Sequence, residues 1–135
     1  MKKYLFMLGV LFFAANIANA ASVAPPKVIG ATTVDTMFAM NLFEKKATFI
    51  DVRSEEDYKK GHIPGAKNIP LNDGFSSEAL SAVVKKNKSV VFYCNGVTCQ
   101  ASSKATQQAL DWGWTSVFYY RGGFPDWKKS GLGVE

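Results

Sequence analysis

Three short apolar runs along the chain predict buried β-strands. Residues 47–53 and 116–120 are rich in β-branched and aromatic side chains, which favour strands. Residues 89–94 form a continuous apolar run that ends on Cys94. Unbroken runs of this kind are typical of strands buried in a parallel sheet. The pattern therefore predicts a buried strand that leads directly to a cysteine.

The segments between these strands have the spacing of helices. Residues 32–46 have apolar side chains at helical intervals, and Thr32 and Thr33 at their start predict a helix cap. The apolar positions are Val34, Met37, Phe38 and Leu42. We expect further helices at residues 77–86 and 102–112.

The order of these elements predicts an α/β fold. The strand at 89–94, the helix at 102–112 and the strand at 116–120 form a βαβ unit. Right-handed crossovers place the loop after the first strand at the carboxyl edge of the sheet, where ligands of open α/β sheets bind. This placement makes Cys94 a candidate active-site residue.

The first 20 residues have the pattern of a secretory signal. Lys2 and Lys3 precede a short apolar run, and small residues at positions 18–20 provide a cleavage site. We predict a signal peptide at residues 1–20, a linker at residues 21–26 and one domain at residues 27–135. The protein is then expected in the periplasm or secreted, and off the membrane once the signal is cleaved.

Charge gives little indication of a macromolecular partner. Without Lys2 and Lys3, the 16 basic residues become 14, against 11 acidic residues. The lysines occur as scattered pairs rather than as a basic stripe with interleaved aromatics. We therefore expect no nucleic-acid binding.

Cys94 has the placement of a nucleophile. A thiolate is the reactive form of cysteine, and a helix N-terminus lowers the pKa of a thiol. The loop after Cys94 contains Gly96, so its amides can curl around an anion. Such a loop suits a persulfide, which forms when the thiolate attacks the outer sulfur of a donor such as thiosulfate and an acceptor then removes that sulfur. The loop residues predicted to bind the substrate are Asn95, Gly96, Val97, Thr98, Cys99 and Gln100.

The second cysteine leaves several roles open. Cys99 either resolves a persulfide on Cys94, forms a protective disulfide with it, or packs in the fold. A zinc site is not expected, because His62 is the single histidine and a closed site usually needs four ligands. We expect no metal and no cofactor.

Several motifs together resemble the rhodanese family. Asp51 and Arg53 lead into a long signature at residues 61–70, the strand ending on Cys94 follows, and Arg121 opens a closing pattern at residues 121–127. The resemblance implies a single rhodanese-like domain. Its sheet would be five-stranded and mostly parallel, with helices on both faces, and Cys94 would carry the persulfide.

The loop departs from the family in two ways. It is about two residues longer than in compact rhodaneses, and Cys99 stands where a second cysteine is not general. Related phosphatases and arsenate reductases place an arginine at the sixth position after the cysteine, where it clamps an oxyanion. Gln100 occupies that position here, which argues against a phosphatase. Arg121 is a candidate for attracting anionic donors.

Three functions follow from these observations. The first is an exported sulfurtransferase that uses Cys94, a small anionic sulfur donor, and a thiol or cyanide-like acceptor or a partner protein. The second is a thiol–disulfide or sulfur-relay protein in which Cys94 and Cys99 cycle together. The third is a rhodanese-like binding module without catalytic activity.

Overall fold

The computed structural model describes residues 23–135, so the predicted signal peptide lies outside the described residues. The five strands are β1 (Thr32–Thr33), β2 (Thr48–Asp51), β3 (Lys67–Asn68), β4 (Val90–Tyr93) and β5 (Val117–Tyr120). The helices are α1 (Thr36–Glu44), α2 (Glu55–Lys60), α3 (Ser77–Ser81), α4 (Ala101–Asp111) and α5 (Gly123–Lys129).

The strands form one sheet in the order β1-β5-β4-β2-β3, and every pair is parallel. β4 lies at the centre, where Phe92 is paired with Ile50 of β2 and with Tyr119 of β5. β4 therefore has a paired strand on each side, and all four of its residues are buried. This confirms the strand predicted from the continuous apolar run.

Hydrophobic clusters cover both faces of the sheet. Val90, Phe92 and Cys94 point to a cluster that includes Leu80 of α3 and Ala105 of α4. Val91 and Tyr93 alternate to the opposite face. That second cluster also contains Ala39 and Leu42 of α1 and Trp127 of α5. The predicted α/β fold, with helices on both faces of a five-stranded sheet, is confirmed.

The connections diverge between β2 and β4. From β2 the chain continues to β3 on one side, whereas from β4 it continues to β5 on the other. At such a switch point the loops after the two strands separate and leave a crevice, where open α/β sheets bind ligands. Cys94 follows β4 and therefore lies at this point.

The helix predicted from residue 32 begins later. Thr32 and Thr33 form β1, which pairs with Phe118 and Tyr119, and Asp35 caps α1 by accepting a 2.8 Å hydrogen bond from the Phe38 amide. Pairing with a distant strand has overridden the local capping signal. Met37 and Phe38 are 76% and 48% exposed, so they do not belong to the buried face predicted for this helix.

Two other predicted segments differ in extent or contact. α3 ends at Ser81 rather than near residue 86, and a turn leads from it to β4. Residues 23–28, here called the N-terminal strap, have no helix or strand, yet Ala24 is 2% exposed and Val28 is 7% exposed. Ala24, in the part of the predicted linker that the structure describes, therefore packs on the domain, and Val28 does so within the predicted domain. Within residues 23–135, no helix combines the length and apolar character needed to cross a bilayer.

Candidate active site

Cys94 is the first residue after β4, and its side chain is bonded to that of Cys99. The two cysteines form a disulfide with their α-carbons 6.3 Å apart. Of the three roles considered for Cys99, the structure therefore contains the disulfide. Cys94 is only 2% exposed, whereas Cys99 is partly exposed.

The loop between the cysteines turns sharply at Gly96. This glycine has a φ of +102°, in the left-handed region that favours glycine, and the Cys99 amide donates to its carbonyl over 3.0 Å. Gly96 is buried, whereas Asn95, Val97 and Thr98 are exposed. Gln100 is the N-cap of α4 but makes no side-chain capping bond. The predicted loop residues therefore form one continuous turn from Cys94 into the N-terminus of α4.

The turn between β5 and α5 holds the backbone of Cys94 in place. The Phe124 amide donates a 3.0 Å hydrogen bond to the Cys94 carbonyl. Gly123 lies so close that a β-carbon on it would approach the Cys94 carbonyl oxygen to 2.3 Å. Its φ of +62° also disfavours a side chain. Position 123 must be glycine if Cys94 is to keep this position.

A buried ion pair supports the loop from the β2 side. Arg53 donates to both carboxylate oxygens of Asp51, with a shortest distance of 2.6 Å, and the two side chains are 4% and 0% exposed. The same guanidinium donates to the Asn95 side chain over 3.3 Å. Asp51 and Arg53 thus have the structural pairing that is usual for buried charges. The contact with Asn95 was not predicted, because no sequence signal connects residues 42 positions apart.

Burial shifts the pKa values of the groups around this pair. Burial alone would lower the pKa of Arg53, but the hydrogen bonds and charge of Asp51 outweigh it and raise that pKa above its ordinary value. Burial raises the pKa of Tyr93, and the charge of Asp51 adds to the effect. Both groups therefore keep their usual protonation states, with Arg53 charged and Tyr93 neutral.

Arg121 binds the N-terminal strap. Its Nε and Nη2 atoms donate to the Ala24 carbonyl over 3.1 and 2.7 Å. The Ala24 amide in turn donates to the Val97 carbonyl over 2.7 Å. The Tyr119 hydroxyl donates to the Pro25 carbonyl over 3.0 Å. Arg121 therefore reaches the loop through Ala24, and the sequence contained no signal for this contact.

His62 lies in a different environment. Its ring stacks on Tyr58 with centroids 3.7 Å apart, and its Nδ1 is 2.8 Å from the Tyr58 carbonyl. Its Nε2 is 3.3 Å from a carboxylate oxygen of Glu135. These contacts join His62 to the end of α2 and to the last residue of the chain, away from the Cys94 loop. Among residues 23–135, no three His, Cys, Asp or Glu side chains cluster as metal ligands.

The arrangement supports thiol chemistry only after reduction, because a disulfide contains no thiolate. Reduction would place a Cys94 thiolate beside the N-terminus of α4, an 11-residue helix. Amide donors and the helix dipole stabilise an anion there. No general base is needed for attack on a sulfur atom, since the thiolate itself is the nucleophile.

Comparison with known proteins identifies the domain. The model of the rhodanese-like domain family matches residues 36–130. The chain is 33% identical over 88 residues to the thiosulfate sulfurtransferase PspE of Escherichia coli, covering 65% of this chain and 81% of PspE. It is 32% identical over 135 residues to the HTH-type transcriptional regulator Rv0324 of Mycobacterium tuberculosis, covering 97% of this chain but 57% of that regulator.

A solved structure agrees with this assignment. The human single-domain sulfurtransferase TSTD1 superposes with a TM-score of 0.63 at 30% identity, covering 73% of this chain and 96% of TSTD1. The region that the family model matches contains β4, Cys94 directly after it and the turn that holds Cys94. The chain belongs to the rhodanese-like domain family.

Proposed function

We propose that the protein is an exported sulfurtransferase that carries sulfane sulfur as a persulfide on Cys94. The observation that carries the proposal is the position of Cys94, directly after the central strand and before the N-terminus of α4, at the switch point of the sheet. The family, and the sulfurtransferases within it that resemble this chain, support the same chemistry.

The reaction has two half-steps. The Cys94 thiolate attacks the outer sulfur of thiosulfate, the sulfur–sulfur bond of the donor breaks, and sulfite leaves with the bonding electron pair. An acceptor such as cyanide or a thiol then removes the outer sulfur and restores the thiolate. The Cys94–Cys99 disulfide must be reduced before the first half-step.

We propose a small anionic donor for this loop. Gln100 lacks the charge that clamps a phosphate or arsenate bidentately, so recognition would depend on backbone amides and on the dipole of α4. These interactions suit a compact anion and require no cofactor. We propose a periplasmic or secreted location on the basis of residues 1–20, with no nucleic-acid partner and no membrane attachment after cleavage.

The first half-step is tested by rapid mixing of the reduced, desalted protein with thiosulfate. We expect about one equivalent of sulfite per Cys94, and none from a Cys94→Ser variant. A Cys99→Ser variant should release the same sulfite and should form thiocyanate when cyanide is added. Absence of sulfite from all three proteins would contradict the proposal and favour a binding module.

The disulfide supports a second candidate, in which the pair exchanges electrons with another thiol protein. This function needs no sulfur donor, because the Cys94–Cys99 pair itself cycles between an oxidising disulfide and a reducing dithiol. It predicts that the reduced protein reduces a disulfide-containing peptide in the absence of thiosulfate. Loss of that activity in Cys99→Ser, without any sulfite release from the wild type, would favour this candidate over the first.

A further inference from the structure

We infer that Cys99 is a resolving cysteine, which converts the Cys94 persulfide into free hydrosulfide and the Cys94–Cys99 disulfide. This inference rests on the proposed function, since it needs a persulfide on Cys94. It assigns to the protein itself the nucleophile that releases the sulfur from Cys94. It also identifies the external partner as a dithiol reductant.

The loop brings the two sulfur atoms together within the native fold. Cys94 is held through its carbonyl by the Phe124 amide, and Cys99 is held through its amide by the Gly96 carbonyl. The α-carbons are 6.3 Å apart, within the range that a disulfide requires. Formation of the bond is therefore compatible with the sheet, with α4 and with the turn at Gly123.

The electron balance of the step is complete. The Cys99 thiol loses its proton to solvent, and its thiolate attacks the inner sulfur of the persulfide, which is the Sγ atom of Cys94. A bond forms between the two cysteine sulfurs, the bond to the outer sulfur breaks, and that sulfur leaves with the electron pair and takes up a proton from solvent to become hydrosulfide. The sulfane sulfur is reduced, and the two cysteines are oxidised to the disulfide.

Attack on the inner sulfur is the alternative that the structure supports. Attack on the outer sulfur would transfer that sulfur to Cys99 and would leave no direct bond between the cysteines. The structure contains the direct bond, and inner-sulfur attack is the step that would form this bond from a persulfide on Cys94.

The second half of the cycle requires a dithiol. A reductant would attack Cys99, which is the more exposed of the two residues, and would expel the Cys94 thiolate beside the N-terminus of α4. A leaving thiolate of low pKa departs faster, and a helix N-terminus lowers the pKa of a thiol. The second thiol of the reductant then closes its own disulfide and frees Cys99.

The test follows sulfide and protein mass through one turnover. Wild-type, Cys99→Ser and Cys94→Ser proteins are reduced, desalted without air, and mixed with thiosulfate in the absence of any other thiol or acceptor. A parallel set receives glutathione persulfide as donor. Reduced wild-type protein without donor is the control for oxidation by air.

Wild-type protein should release about one equivalent of hydrosulfide and end about 2 Da lighter than its reduced form. Cys99→Ser should keep the sulfur, gain about 32 Da and release roughly tenfold less hydrosulfide. Adding a dithiol should let the wild type turn over repeatedly. A Cys99→Ala variant that behaves as Cys99→Ser does would exclude an effect of the serine hydroxyl.

The outcomes separate this inference from the proposed function. If Cys99→Ser gains sulfur and the wild type also keeps it as a stable persulfide, Cys99 is not a resolving residue and only this inference fails. If neither protein gains or releases sulfur from either donor, the persulfide chemistry of Cys94 fails, and the inference fails with it.

Discussion

At the scale of single residues, the guanidinium of Arg53 joins three segments of the chain. It pairs with Asp51 at the end of β2, donates to the Gly61 carbonyl over 2.7 Å, and donates to Asn95 in the active-site loop. Phe124 packs against it, with its ring centroid 4.5 Å from the Arg53 Cζ atom. A guanidinium occupied in this way has a positioning role rather than a role in binding the donor.

Replacing Arg53 with methionine would leave the Asp51 carboxylate buried without its ionic partner. We expect the free energy of unfolding to fall by about 3 kcal/mol, because an uncompensated buried charge is costly. Urea unfolding at neutral pH measures the change. The control is Lys59→Met, which removes the ion pair between Lys59 and Glu55. These two side chains are 71% and 70% exposed, so the free energy of unfolding should not change measurably. Equal losses in the two variants would show that burial of the pair does not matter.

At the scale of elements, side chains at the carboxyl end of β5 and directly after it connect this strand to other parts of the fold. The Tyr120 hydroxyl is 2.6 Å from the Thr36 hydroxyl in the first turn of α1. Tyr119 and Arg121 bind the N-terminal strap, which in turn binds the loop at Val97. The end of β5 therefore connects a helix, the strap and the active-site loop.

The burial of the Tyr120 side chain predicts a pH dependence of stability. Burial raises the pKa of Tyr120 to about 12, whereas an unfolded tyrosine titrates near 10. Between these values the folded state keeps a proton that the unfolded state has lost. The contribution of Tyr120 to the free energy of unfolding is therefore fully present below about pH 10 and is lost as pH rises toward 12. Tyr120→Phe should show a shallower fall.

The measurement is urea unfolding between about pH 9 and pH 12. It is made in a Cys94→Ser, Cys99→Ser background, which removes thiol–disulfide exchange at alkaline pH. Tyr119 and Tyr93 also have raised pKa values through burial, so the decline should be reduced rather than abolished. Identical slopes with and without Tyr120 would contradict the assignment.

The Arg121 contact predicts an effect on the mobility of the loop. Arg121→Ala removes both hydrogen bonds to the Ala24 carbonyl and should release the strap from Val97. We expect amide hydrogen exchange at residues 95–99 to become roughly tenfold faster, since local opening depends on the contacts that close it. Exchange measured by mass spectrometry checks this.

The same variant separates two roles for Arg121. If it attracted anionic donors, Arg121→Ala would raise the KM for thiosulfate in a salt-dependent way and leave loop exchange unchanged. Faster amide hydrogen exchange in the loop, together with a loss of activity that does not depend on salt, would identify Arg121 as a positioning residue.

At the scale of the whole molecule, the predictable features are those with a local signal. The apolar run of β4 predicted its own strand, and the βαβ order predicted the location of Cys94. β1 was missed, because it consists of two threonines that become a strand only by pairing with β5. The pattern predicts a linker at residues 21–26, whereas the contacts of Ala24 with Arg121 and Val97 join residues distant in sequence.

The stability of the reduced protein is a further whole-molecule property. The disulfide closes a short loop, since its cysteines are five positions apart, and such a bond contributes about 2 kcal/mol. The two cysteines contact only one of the two hydrophobic clusters, and the other cluster contains neither of them. We therefore expect the reduced domain to stay folded, with a free energy of unfolding about 2 kcal/mol lower.

Urea unfolding with and without a reductant measures that difference. The Cys94→Ser, Cys99→Ser variant is the control, because its free energy of unfolding should be the same with and without the reductant. A domain that unfolds on reduction would contradict the expectation. It would also exclude a working cycle through a free Cys94 thiolate.

The hydrogen bond from Phe124 to the Cys94 carbonyl has a spectroscopic consequence. An amide proton resonance depends on the length of its hydrogen bond, and this one ends on the residue whose sulfur changes during the reaction. The Phe124 cross-peak in a nitrogen–proton NMR spectrum should therefore take separate positions for the thiol, persulfide and disulfide forms. A ¹⁵N-labelled sample would then report the chemical state of Cys94 in real time, without a dye or an electrophilic trap.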